Sequence, residues 1–271
     1  MTLGICVGGV SGWTGSAIAQ AVLDDPELEL SGAVARRCKG KDAGQVIGRT
    51  AIGLPVVDSV EAALEAGTSE VYIDYTHPSS VKVNVLAALN RGVPAIVGTS
   101  GLSAADYAEI AEVAEARGLG VVASGNFSIT AALLQHFAVI AAQHVPDFEI
   151  IDYAKSTKPD VPSGTARELA ERLGAIAPSN PGVPLDKIIG PKETRGANIS
   201  GGRVHSVRLP SYVLAVEAIF GKASERLALR HDAGTSAEPY VSGTLLAARR
   251  VREIKGLVRG LDTLLFGEAQ K

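Results

Sequence analysis

Cysteine and the large aromatic residues are scarce in this chain: two Cys, one Trp and five Phe among 271 residues. Cys6 falls in an apolar run and Cys38 in a basic stretch. A disulfide pair or a zinc set is therefore not expected, and a reducing cytoplasm is the default compartment. With so few rings, the core must rest on Ala, Val, Leu and Ile. An excess of positive charge is also lacking. The formal net charge is −3, which argues against nucleic acid or a membrane surface as partner of the whole molecule. No apolar run approaches the about 20 residues that span a bilayer. No basic-plus-apolar leader is read either, since strand-like residues begin at Leu3. Five scattered histidines and no acidic cluster of ligand spacing leave no metal site to expect.

What is present is the composition of a folded protein, 46% hydrophobic and 20% charged, with 30 glycines for tight turns. Apolar strand-like runs at Leu3–Val7, Leu28–Ala35, Val71–Tyr75, Pro94–Val97 and Leu119–Ala123 alternate with helical spacing over Thr14–Leu23, Asp58–Glu65, Pro78–Arg91 and Ser103–Arg117. Ser103 and Asp106 have the spacing of a capping box. This alternation predicts an α/β fold with a Rossmann-type doubly wound parallel sheet. After Ser128 the pattern changes: a long helix over Ile129–His144, then strands at Phe148–Ala154, Arg203–Arg208, Val213–Phe220 and Arg226–Arg230. A second, α+β domain with a mixed sheet is expected there. Pro178–Gly202 reads as a long loop and Tyr240–Arg252 as a helix. The boundaries are placed at 1–128, completed by 240–271, and at 129–239.

Gly9, Gly12 and Gly15 sit between the first strand and the first helix with GxxGxxG spacing, where the usual dinucleotide fingerprint is GxGxxG. Gly12 allows backbone to approach a pyrophosphate and Gly15 allows close helix–strand packing. Ser11, Trp13 and Thr14 belong to the same loop. An NAD site ordinarily places an acid at the end of the second strand, and here stand Arg36 and Arg37. Cations match a 2′-phosphate, so NADPH is expected over NADH. Loops at Tyr75-Thr76, Gly98-Thr99-Ser100 and Ser124-Gly125-Asn126-Phe127 follow strands at the expected carboxyl edge and complete the candidate cofactor site.

A second cluster lies in Lys155 to Ala166, where Lys155, Lys158, Ser163, Gly164 and Thr165 precede a helical apolar run. Amides at a helix start hold anions, and lysines add full charge. A small-molecule carboxylate substrate is the expected partner.

Taken in order, these elements resemble the dihydrodipicolinate reductase family. The resemblance runs through the glycine loop, Asp74-Tyr75-Thr76, Gly98 to Gly101, Asn126-Phe127-Ser128, the string Lys158-Pro159-Asp160-Val161-Pro162-Ser163-Gly164-Thr165-Ala166, His205 to Arg208, and Glu225 to His231. It implies hydride transfer from NAD(P)H to a cyclic unsaturated dicarboxylate, a homotetramer built by the second domain's sheet, and substrate contacts at Lys158, Ser163, Gly164, Thr165 and His231. One departure is plain. The family carries a His-His pair, one member of it the proton donor, where this chain has Ala154-Lys155, and an Arg of the family falls on Ser236. Lys155 or Lys158, desolvated beside another cation, is then the candidate acid, with Tyr153 and His231 behind them. Three readings stay open: the family's reductase, a relative acting on another imine or amino acid, and a non-catalytic NADP-binding protein.

Overall fold

A computed structural model describes residues 2–65, 68–180 and 182–267. Contacts divide the chain into two compact units, one of residues up to Ile129 together with Ala237–Leu265, the other of Thr130–Ser236 together with Phe266 and Gly267.

The first unit begins with β1 (Leu3–Gly8), α1 (Trp13–Asp24) and β2 (Leu28–Val34), followed by two short helices, α2 (Ala43–Val46) and α3 (Val60–Leu64). The order continues β3 (Val71–Asp74), α4 (Val81–Asn90), β4 (Ala95–Val97), α5 (Ala104–Arg117) and β5 (Gly120–Ala123). The strands are buried nearly end to end, as parallel strands covered on both faces must be. Ser103 and Asp106 make the capping box reciprocally at the start of α5.

In the second unit, α6 (Ile129–His144) leads to β6 (Phe148–Ala154), α7 (Gly164–Ile176), β7 (Ala197–Ile199), β8 (Gly202–Arg208), β9 (Leu214–Lys222) and β10 (Glu225–Ala233). The chain ends with α8 (Glu238–Arg250), β11 (Gly256–Arg259) and α9 (Leu261–Phe266).

The first sheet has the order β11-β5-β4-β3-β1-β2, with every pairing parallel. Its order reverses at β1, which pairs β2 on one side and β3 on the other. That reversal is where ligands meet the carboxyl ends of such sheets. The second sheet, β10-β9-β6-β8-β7, is mixed: β6 and β8 run parallel and the remaining neighbours antiparallel. Along β6 burial alternates strictly. Phe148 and Ile150 join Leu134 and Ala138 of α6 and Leu169 and Leu173 of α7 in one apolar cluster, while Ile151 and Tyr153 face the other side.

Several expected elements move. The helix read from Pro78 starts at Val81, because His77 to Ser80 form a turn whose His77 carbonyl accepts from Ser80 N and Val81 N. The helix read from Tyr240 starts at Glu238 with proline in its first turn. The loop over Pro178–Gly202 is interrupted by two single-turn 3₁₀ segments and by β7, which forms a hairpin with β8. The edge strand β11 has no counterpart among the expected elements. It spans only four residues and is defined by its pairing with β5, more than a hundred residues earlier in the chain.

Candidate functional site

The glycine loop leaves β1 and turns at Gly9, whose φ is +81°. A Cβ on Gly9 would run into the Tyr75 carbonyl, and one on Gly15 into the Gly9 carbonyl. Both glycines are thus demanded by packing inside the turn. Gly12 differs: its Cβ would meet only the Gly9 oxygen, at 3.1 Å. Gly12 is also the N-cap of α1, and no side chain caps that helix. The first-turn amides of Trp13, Thr14 and Gly15 therefore lack a side-chain acceptor and point past an open glycine surface. That donor set fits a pyrophosphate. Ser11 and Trp13 are exposed beside it, and the Trp13 ring meets Tyr240 edge-on at 6.0 Å between centroids.

Arg36 and Arg37 lie in a single 3₁₀ turn after β2 and are exposed. Neither has an acidic partner among the described residues, whereas Lys39 is bound to Asp58 at 2.7 Å. Two uncommitted guanidinium groups at this strand end suit a 2′-phosphate.

The edge loops after β3 and β4 are organised by Asp74, which is fully buried. It accepts from Tyr72 Oη (2.6 Å), Thr76 N (3.0 Å), Thr76 Oγ1 (2.8 Å), Asn84 Nδ2 (3.0 Å) and Thr99 Oγ1 (2.6 Å). The hydroxyl protons of Thr76 and Thr99 are thus turned inward, which the sequence reading did not foresee. Burial, aided by the Asp74 charge, pushes the Cys6 thiol up to about 12 and raises the Tyr72 phenol. Tyr75 bonds Thr244 Oγ1 at 2.7 Å, and burial holds its phenol well above the ordinary range. Phe127 is core, edge-on to Tyr75. Ser124 and Asn126 bond within their own turn, Ser124 Oγ donating to the Asn126 carbonyl at 2.8 Å. Gly98 packs on the Tyr75 ring, and Ser100 is exposed.

In the second unit, Lys155 to Lys158 form a turn closed by Lys158 N donating to the Lys155 carbonyl at 3.0 Å. Lys155 is exposed. Lys158 is half-buried and pairs with Asp160 at 2.8 Å, so its neighbour is a carboxylate rather than the second cation that was expected. Ser163 caps α7 by accepting from Ala166 N at 3.3 Å. Its own N–H and hydroxyl both go to Asp152, at 2.9 and 2.7 Å. Gly164 and Thr165 follow as the first helical residues. Asp152 also accepts from Ser206 Oγ (3.2 Å) and Arg208 Nη2 (2.8 Å). Asp152 and Asn84 had not been singled out from the sequence, and Ser206 and Arg208 only as part of the His205 to Arg208 stretch of the resemblance, without a role. The available signal was parity: Asp152 falls on the same side of β6 as Phe148 and Ile150, and an acid on a buried face needs donors.

His231 is buried on β10, with Nδ1 3.0 Å from Thr130 Oγ1 and with Nε2 unpartnered. Desolvation lowers its pKa despite the opposing charge of Asp232. Tyr153 Oη donates to Glu217 at 2.9 Å on the sheet face opposite Asp152. Burial together with Glu217 raises its phenol, which makes it a poor proton donor to a ligand at Lys158.

Residues 3–127 match the family model for dihydrodipicolinate reductase, N-terminus, and residues 129–265 match that for its C-terminus. The chain is 37% identical over 266 residues to 4-hydroxy-tetrahydrodipicolinate reductase of Moorella thermoacetica, covering 97% of this chain and 98% of that one. It is 36% identical to the same enzyme of Thermosynechococcus vestitus, with 97% of each chain covered. Among solved structures, a dipicolinate-bound dihydrodipicolinate reductase from Paenisporosarcina sp. TG-14 superposes with a TM-score of 0.81 at 29% identity, covering 97% of this chain and 100% of that one. An amine dehydrogenase from Mycobacterium smegmatis, 15% identical with a TM-score of 0.66, shares the fold.

Proposed function

Because this chain belongs to the dihydrodipicolinate reductase family of NAD(P)H-dependent oxidoreductases, we propose that it reduces 4-hydroxy-tetrahydrodipicolinate, with NADPH as the preferred donor. The observation that carries this reading is the string from Lys158 to Ala166, in which Lys158 pairs with Asp160 and Ser163, tied to Asp152, caps α7. The residues proposed for the cofactor are Gly9, Ser11, Gly12, Trp13, Thr14, Gly15, Arg36 and Arg37, with the edge loops at Tyr75-Thr76, Gly98 to Ser100 and Ser124 to Phe127. NADH remains usable, since the pyrophosphate end does not depend on the 2′-phosphate.

A bound nicotinamide would supply a hydride to an electrophilic carbon of the substrate. The chain's own part is to hold a carboxylate at Lys158, Gly164 and Thr165 and to deliver one proton. Lys155 and Lys158 are the proposed proton sources, and His231 presents a buried ring nitrogen to a ligand in the second unit. The half-buried side of the mixed sheet, which carries Ile151 and Tyr153, is the face proposed for the homotetramer that the family implies. Two free thiols suit the cytoplasm, and among the described residues no helix is long and apolar enough to cross a membrane.

The test is NADPH oxidation, followed by absorbance, with freshly generated 4-hydroxy-tetrahydrodipicolinate beside a panel of other cyclic and linear imino acids. A kcat/KM of about 10⁴ M⁻¹s⁻¹ or more on the first compound is the expected result. Ala154-Lys155 in place of the family's His-His pair favours a second reading, an imine reductase or amino acid dehydrogenase for a different carboxylate. Turnover confined to another member of the panel establishes that reading. Tight NADPH binding without turnover on any of them establishes a non-catalytic protein instead.

A further inference from the structure

Asp152 has no exposed surface and lies on the face of β6 packed by α7. Its carboxylate gathers four donors from three residues: Ser163 N and Oγ at the start of α7, and Ser206 Oγ and Arg208 Nη2 on β8. Arg208, its side chain 15% exposed, carries the tie onward. Nη1 donates to the carbonyls of Asp152 (3.2 Å) and Val207 (3.0 Å), and Nη2 donates to the carbonyl of Asp160 (2.8 Å). One ion pair therefore pins the end of β6, the end of β8, the middle of the Lys155–Pro162 loop and the cap of α7.

The fold does not need these ties to close. β6 and β8 already pair in register from Glu149↔Arg203 to Ala154↔Arg208, and Ser163 caps α7 through Ala166 N without help. Burying a carboxylate and a guanidinium costs desolvation that an apolar pair of similar volume avoids. What the pair contributes that Leu or Met would not is a fixed course for the loop, through the Asp160 carbonyl on one side and Ser163 on the other. Asp160 is itself the partner of Lys158, so the course of the loop sets where the lysine stands. Ser163 has both its N–H and its hydroxyl turned to Asp152, which makes it a strut between Asp152 and the helix.

We propose that Asp152 and Arg208 are positioning residues that hold the Lys158–Thr165 loop in its carboxylate-binding form, with Ser163 as the link and Lys158, Gly164 and Thr165 as the groups that meet the ligand. This rests on the reading of that loop as the carboxylate site. The pair acts on ligand binding without touching the ligand. Neutralising one member must therefore damage carboxylate affinity while leaving the dinucleotide loop, on the other unit, unaffected.

The experiment titrates pyridine-2,6-dicarboxylate into the NADPH-loaded full chain by calorimetry, for the parent and for Asp152→Asn, Arg208→Met, Arg208→Lys and Lys158→Ala. NADPH affinity, read from the single tryptophan, reports folding of each variant. Asparagine keeps the shape of Asp152 but replaces an acceptor oxygen by a donor. Asp152→Asn and Arg208→Met should each weaken the probe on the order of 10- to 100-fold, with NADPH affinity unchanged. The double variant should be no weaker than the worse single, because one device is being removed twice. Arg208→Lys retains one charged bond but cannot span Asp152 and Asp160, and should fall between. Parent-like probe affinity in Asp152→Asn and Arg208→Met, with loss in Lys158→Ala, overturns the proposal and leaves the carboxylate site standing. Parent-like affinity in Lys158→Ala overturns the site itself. If Asp152→Asn fails to bind NADPH, Arg208→Lys decides alone, and its parent-like affinity is the refuting result.

Discussion

Removing the charges of Arg36 and Arg37 should convert the preference for NADPH into indifference. Both guanidinium groups are exposed in the turn after β2, without an acidic partner among the described residues. A 2′-phosphate carries about −1.5 to −2 charges near neutral pH. Unit charges about 4 Å apart attract by about 1 kcal/mol in bulk water and about 4 kcal/mol at the effective dielectric of a protein surface. Exposure places these side chains toward the lower figure, about 1–2 kcal/mol for each arginine, or roughly 5- to 30-fold in affinity. Arg36→Ala/Arg37→Ala should thus weaken NADPH on the order of 10²-fold while NADH changes little. The assay is built into the chain. Its one tryptophan, Trp13, is 56% exposed on the dinucleotide loop, so cofactor binding can be followed by quenching of a single emitter. Raised salt should erode the NADPH affinity of the parent more than that of the double variant. Acid should do the same as the phosphate gains its second proton near pH 6. Equal loss for both cofactors, or no loss for either, would show that these arginines do not read the phosphate.

Four substitutions test other parts of the chain. Gly15→Ala drives a methyl into the Gly9 carbonyl and should cost folding, measured as a large drop in Tm. Gly12→Ala meets only one oxygen, at 3.1 Å, and should keep Tm near the parent while weakening both cofactors; a cofactor affinity equal to the parent's would remove the pyrophosphate from that surface. His231 is held below its ordinary pKa by desolvation. The unfolded chain then takes its proton first as pH falls, so stability from this group is full above about pH 6.5 and is lost from there down to the folded-state value. His231→Gln should flatten that part of a Tm-against-pH curve, and an unchanged slope would refute the assignment. Lys155→Ala should lower kcat on the order of 10²-fold if Lys155 is the acid, with NADPH affinity intact; unchanged turnover removes it from the mechanism.

The parallel sheet was legible because its strands are short apolar runs separated by helical spacing, and because glycines and caps mark the turns. Ser103 with Asp106 gave the start of α5 to the residue. The edge strand β11 was not legible, since four residues acquire strand identity only from a partner far away in sequence. The glycine loop and the Lys158–Ala166 string stood out as local motifs. The direction of side chains within them did not. Thr76, Thr99 and Ser163 read as hydroxyls for a ligand, yet each turns to a buried aspartate supplied by another stretch of chain or by the strand before it. The surroundings of the two lysines were not legible for the same reason, although both stay candidates for the proton. The sequence places Lys155 and Lys158 close together, but the turn exposes Lys155 and gives Lys158 to Asp160.

Asp74 and Asp152 repeat one solution with different compensation. Each is a fully buried carboxylate near the carboxyl end of a strand, and each collects the hydroxyls of the loops it serves. A buried carboxylate is tolerable only if several donors replace the water it has lost. Asp74 is met by a phenol, two threonine hydroxyls, an amide side chain and one backbone N–H, all neutral. Its charge is therefore felt nearby, adding to the burial that drives up the Cys6 thiol and the Tyr72 phenol and keeps both protonated and inert. Asp152 instead has Arg208, which cancels its charge beside the loop proposed to take an anion. On the proposed reading the contrast matches what each loop would hold. Amides and hydroxyl oxygens at a nicotinamide would tolerate a neighbouring negative charge, whereas a carboxylate at Lys158 would be repelled by one left uncompensated. If Lys158 meets a carboxylate, the arginine on β8 serves the ligand's charge rather than the closure of the sheet, which pairs in register without it, and a methionine there should preserve the sheet and lose the site.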